Sequence, residues 1–193
     1  MQTFLPYSDF KQSVGVLDSK RLFKQVVEAR QILNVLTETT KKVGWRNHPA
    51  VLQWRGYTSA LKNYATCCIA ECYKRGIRAD GEEEKLAILP IEESNFLPDW
   101  LGDPRIHSTH RSRLLCKGYA DSVCVGIKKA LKLKSIDDYL KSKLGKTKNQ
   151  LKYQDVIGLQ RFYFQISEVP LATNYYLQFN WNDDPAAEYI WPK

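Results

Sequence analysis

The seventeen residues from Leu17 to Leu33 limit what this chain can fold into more than any other stretch. Read at 100° per residue, Leu22, Val26, Ala29, Ile32, Leu33 and Leu36 fall on one apolar stripe, the pattern of a helix that has to bury that face. Asp18 stands where an N-cap belongs, and the periodicity predicts a helix to about Glu38, before Thr39 and Gly44 interrupt it. Lys20, Arg21, Lys24 and Arg30 line the opposite face around one carboxylate, Glu28. A lone acid among cations can accept a proton or stabilise a positive charge inside an anion-attracting surface. The same residues also fit a solvated basic face with Lys24 and Glu28 paired at i,i+4.

The rest of the chain reads as further helices. Residues 1–10 are expected to be extended, because Pro6 fixes its own φ and pushes Leu5 away from helix. Pro49 opens a second helix that keeps its spacing to about Lys74, with Gly76 as the stop. Gly56 lies inside that run and marks either close packing or a break. Residues 77–106, acidic and punctuated by Pro90, Pro98 and Pro104, read as a long connection. A third helix is expected from Ser108 or Thr109, and amphipathic lysine-rich helices over 119–165. The aromatic-dense residues 162–181 fit helix or strand equally.

Length and charge bound the function. At 193 residues the chain is one domain, or one domain with an insertion, and can bury a real core. Its net charge of +8 is blocked out unevenly: +7 over residues 1–80, −5 over 81–100, +3 over 101–118, +6 over 119–164 and −3 thereafter. Such a surface suits a polyanion, nucleic acid being the commonest, although it also serves solubility. No apolar run spans a membrane, and Met1–Tyr7 does not read as a secretory signal, so an intracellular place is expected: cytoplasm, nucleus or, for a viral protein, virus factory or virion. The five cysteines form no C-x-x-C pair and read as reduced core residues. His107, His110 and Cys116 suggest a metal, but no fourth ligand falls at a familiar spacing, so neither metal nor cofactor is expected. Phosphate loops, G-x-S-x-G and H-E-x-x-H are missing from the sequence.

Several segments together are more specific. They are Thr3-Phe4-Leu5-Pro6; Leu17-Asp18 with Lys20-Arg21-Leu22, Lys24-Gln25 and Glu28; Gly44-Trp45-Arg46-Asn47-His48-Pro49-Ala50 with Trp54-Arg55-Gly56-Tyr57; Glu71-Cys72-Tyr73-Lys74-Arg75-Gly76; Pro98 to Pro104; His107 and His110-Arg111-Ser112; and Tyr189-Ile190-Trp191-Pro192. In that order they resemble the family of the T-even phage pyrimidine-dimer DNA glycosylase, endonuclease V, and most closely its bacterial and viral branch. The resemblance covers roughly residues 1–117 and the last few. It implies a mainly α fold with a compact three-helix core, in a single domain over 1–193 where 118–180 is an insertion before the tail.

It also implies a monomer acting on double-stranded DNA as a glycosylase with abasic-site lyase activity, on damaged or modified pyrimidines. In that chemistry an N-terminal amine attacks C1′, a glutamate assists, and a Schiff base leads to strand cleavage. An α-amine suits this because its pKa of about 7.7–8 leaves a usable neutral fraction at pH 7. Glu28 matches the glutamate, and the amine falls to Gln2 or to Met1. Gln2 is larger than the small second residue that permits methionine removal, and Val27 stands where the phage enzyme has an arginine, with Arg21, Lys24 and Arg30 as substitutes. DNA contacts are assigned to Thr3, Lys20, Arg21, Lys24, Arg46, Asn47, His48, His107, His110 and Arg111, with helix capping as the competing role of Asn47 and His48. Trp45, Trp54, Tyr57 and Trp100 read first as core. The lysine-rich insertion is either extra DNA affinity or a protein-docking element. The rival overall is a DNA-binding protein that has lost the amine.

Overall fold

The computed structural model describes residues 2–39 and 43–192. Among these there are eight α-helices and no strand, the mainly α class that the sequence implies. The chain divides into two compact units. The first takes residues 1–108 with 190–193, and the second takes residues 109–189, which include the lysine-rich segment 118–180.

The first unit is built on α2 (Ser19–Leu36), capped by Asp18, whose Oδ1 accepts from Arg21 N at 3.0 Å. Its apolar stripe is buried: Leu22, Val26, Ala29, Ile32 and Leu33 are at most 1% exposed. It packs on α4 (Thr58–Lys74), which turns Leu61, Tyr64, Ala65, Cys68 and Cys72 inward. A short α1 (Phe10–Gly15), capped by Asp9 and absent from the sequence reading, lies on α4 as well.

The expected second helix is broken. α3 is one turn (Pro49–Leu52), and α4 starts six residues later because Gly56 takes φ +85°, a region that costs other residues about 1 kcal/mol or more. α4 stops where expected, at a Schellman turn: Gly76 N bonds to Tyr73 O and Ile77 N to Cys72 O, both at 2.9 Å. Beside that stop, Arg75 donates to Glu71, Leu17 O and Gly15 O, tying the α1–α2 turn to the end of α4.

Two elements depart from the expected connection. α5 (Asp80–Ala87) forms within it, its acidic first turn suited to a helix N-terminus, and Glu82 pairs with Arg30 of α2. α6 (Pro104–Ala130) starts four residues before the expected Ser108, because Asp103 accepts from Arg105 N and Pro104 takes the first helical position.

In the second unit α6 continues, followed by α7 (Ile136–Leu144) and α8 (Tyr153–Ile166), around Val123, Cys124, Ile127, Leu140, Val156, Leu159 and Tyr163. Two of the lysines act inside this unit: Lys146 bridges Asp155 and Lys148 bridges Asp121. The aromatic segment ends α8 and then forms a 3-10 turn at Tyr175–Phe179, where Tyr176 is fully buried and stacks on Trp181.

Candidate active site

The first unit holds its opening residues in place through several backbone groups and the Thr3 hydroxyl. Gln2 N donates to Glu28 Oε2 at 2.7 Å, and Gln2 O accepts from Gln25 Nε2 at 3.2 Å. Phe4 N donates to Gln25 Oε1 at 2.7 Å, Phe4 O lies 2.9 Å from the Tyr64 hydroxyl, and Leu5 O lies 2.7 Å from His107 Nδ1. Thr3 Oγ1 accepts from Gln53 Nε2 and Trp54 Nε1 at 3.0 and 3.1 Å. Thr3, Phe4 and Leu5 are buried, so these bonds form away from competing water.

Glu28 therefore meets a backbone nitrogen 26 residues earlier in the chain. Its side chain is 13% exposed, and its other oxygen lies 3.5 Å from Lys24 Nζ, one turn back on α2. Lys24 itself is 61% exposed, so the carboxylate keeps an open cationic side rather than a sealed ion pair. Lys20, a further turn back, is exposed on the same stripe. Of the three cations offered in place of the family's arginine, Lys24 is the one at Glu28; Arg21 pairs with Asp18 and Arg30 with Glu82.

The loop before α3 is partly as read. His48 caps α3, its Nδ1 accepting from Ala50 N at 3.1 Å, and burial holds its pKa below the ordinary imidazole value. Its ring lies between Trp45, with centroids 4.9 Å apart, and Trp191, at 6.0 Å and edge-on. Trp45 is 45% exposed, whereas Trp54 is fully buried against Trp100. Arg46 is exposed and reaches Glu38, and Asn47 is exposed.

Three residues assigned to DNA contact lie in the interior instead. Thr3 is 0% exposed and bound to Gln53 and Trp54. His107 is 5% exposed, donating from Nδ1 to Leu5 O while Nε2 accepts from Gly102 N, a neutral tautomer fixed by its two partners. His110 is 1% exposed, its ring edge-on to Tyr189. Side chains held this way cannot meet a phosphate unless the fold opens. Arg111 is partly buried, its guanidinium bidentate to Asp183 at 2.6 and 3.1 Å. Met1, named with Gln2 as a source of the amine, lies outside the described residues. Among the described residues no group of three or more His, Cys, Asp or Glu side chains is placed to hold a metal ion.

The sequence reading missed Gln25 and Tyr64. The signal was present: Gln25 is a polar residue inside the apolar stripe of α2, three positions before Glu28, and only 1% exposed. A buried carboxamide needs partners for both ends, and here the partners are the opening residues.

The fold and site define a helical protein that delivers a backbone nitrogen from its opening segment to a carboxylate on its principal helix. Residues 1–84 match the family described as Pyrimidine dimer DNA glycosylase, so over that span the chain is similar to this family. No curated protein and no solved structure matches the chain.

Proposed function

We propose that the first unit is a glycosylase with lyase activity for damaged pyrimidines in duplex DNA, and that Gln2 and Glu28 carry its chemistry. The observation behind this is the 2.7 Å approach of Gln2 N to Glu28 Oε2. Once cleavage before Gln2 frees that nitrogen as an α-amine, it attacks C1′ of the damaged nucleotide. A C1′–N bond forms, and the glycosidic bond breaks with its electron pair leaving on the base, which takes up a proton. Glu28 stabilises the positive charge that builds on the sugar in the transition state. The nitrogen then loses its proton and the C1′–O4′ bond of the sugar opens, with O4′ taking up a proton, which leaves C1′ as an iminium. Loss of a C2′ proton expels the 3′ phosphate, and water then releases the amine. Lys24 and Lys20 hold phosphates beside the carboxylate, with Arg46 and Asn47 as further contacts from the exposed loop.

The test is borohydride trapping on a duplex carrying a pyrimidine dimer or an abasic site, with intact mass to identify the first residue. A covalent adduct through Gln2 is expected. Glu28→Gln should retain DNA binding and cut strand scission about 10²-fold or more, the range seen when a principal electrostatic or acid–base group is removed. Scission by Glu28→Gln at the native rate, or cleavage with no trapped adduct, overturns this chemistry, and binding of the duplex without any cleavage overturns the reading in favour of a DNA-binding protein on the same scaffold.

A further inference from the structure

We infer that Gln25 is a positioning residue of this reaction, whose carboxamide sets the opening segment in the register that brings the Gln2 nitrogen to Glu28. The catalytic consequence rests on the glycosylase reading above; the placement itself does not.

In an extended chain the N–H and C=O of residues 2 and 4 point to the same side. Here that edge is fully engaged: Gln2 N with Glu28, Gln2 O and Phe4 N with Gln25, and Phe4 O with Tyr64. A glutamine carboxamide offers the same donor and acceptor as a peptide group, so Gln25 stands in for the neighbouring strand that an all-helical unit lacks. Its orientation follows from its partners, because only its oxygen can accept from Phe4 N–H, which turns its nitrogen toward Gln2 O. The same oxygen lies 2.9 Å from the Tyr64 hydroxyl. Burial pushes the Tyr64 phenol well above its usual pKa, so it stays a donor, its one proton shared between Gln25 Oε1 and Phe4 O.

Gln25 and Glu28 are three apart on one helix, so both face the same side of α2. With Gln2 O and Phe4 N fixed, an amine on Gln2 keeps only the rotation about its own Cα–C bond, and contact with Glu28 removes that. Without Gln25 the segment loses two of these four anchors and the amine wanders. Misplacing a reacting atom by about 1 Å costs about 10²-fold in rate.

The experiment compares Gln25→Met, of similar length but unable to hydrogen-bond this way, with Gln25→Glu, which ionised keeps the acceptors and loses the donor to Gln2 O. Two readouts are taken on folded protein. Single-turnover trapping on abasic duplex should fall about 10²-fold in Gln25→Met while half-saturation by DNA stays within twofold, a split that general loss of fold would not give. Nitrogen NMR of glutamine-labelled protein should show the Gln2 resonance responding to Glu28→Gln in the native background and no longer responding when Gln25→Met or Gln25→Glu is present. Trapping by Gln25→Met within twofold of native, or a Gln2 resonance still tied to Glu28, overturns the inference. If the native protein traps nothing, the glycosylase reading has failed, and the NMR result alone decides whether Gln25 positions Gln2.

Discussion

A histidine that caps a helix through a ring nitrogen has to be neutral at that nitrogen. His48 does this for α3, and burial keeps its folded pKa below the ordinary 6.5. Unfolded His48 takes up a proton as pH falls past 6.5, while folded His48 resists until lower pH. Over that window the unfolded state binds more protons, so acid removes stability; below the folded pKa the effect levels off. His48→Asn keeps a short capping acceptor and cannot titrate. Melting temperature followed from pH 7.5 to 5 should therefore fall less steeply in His48→Asn than in the native chain. Since His107 and His110 are present in both, the difference isolates His48, and parallel curves would show that its ring does not contribute.

At the scale of helices, what the sequence disclosed depended on whether a signal was local. Asp18, the stripe of α2 and the Gly76 stop are local, and each is found where periodicity and capping put it. α1 is six residues long, too short for a period, and only Asp9 announced it. α5 was hidden because its acids read as linker, although acids in a first turn favour a helix and Glu82 finds Arg30 across the unit. The anchoring of residues 2–5 joins positions 21 to 102 apart in the chain, and no local pattern reports such pairs. Gly118 on α6 is a similar case, since its meaning lies 56 residues away. A Cβ there would fall 1.8 Å from Asn174 Oδ1, displacing a buried side chain that accepts from Tyr176 N and donates to Leu115 O. Gly118→Ala should lose about 3 kcal/mol in urea unfolding, from crowding plus the broken bonds. Gly158→Ala on α8, where nothing lies within 4 Å, should instead gain a few tenths to about 1 kcal/mol. Equal effects at the two glycines would mean that Asn174 yields without cost.

At the scale of the whole molecule, charge is the property that distinguishes the two accounts of the lysine-rich segment. Lys146 and Lys148 are spent on ion pairs within the second unit. Lys128, Lys129, Lys132 and Lys134 are not: all four are exposed around the end of α6, and none forms an ion pair among the described residues. A lysine that neutralises a phosphate releases a counterion, which steepens the fall of affinity with salt by about 0.9 in log–log slope per contact. Replacing all four by glutamine should thus flatten that slope by about 1 for each lysine that reaches DNA, and weaken binding uniformly across sequences. The single-turnover rate at saturating DNA should not change, because none of the four belongs to the Glu28 site. An unchanged slope would assign the cluster to something other than DNA and leave strand binding to the first unit, where Lys20 and Lys24 flank the carboxylate and any charge lost from them would appear in rate as well as affinity.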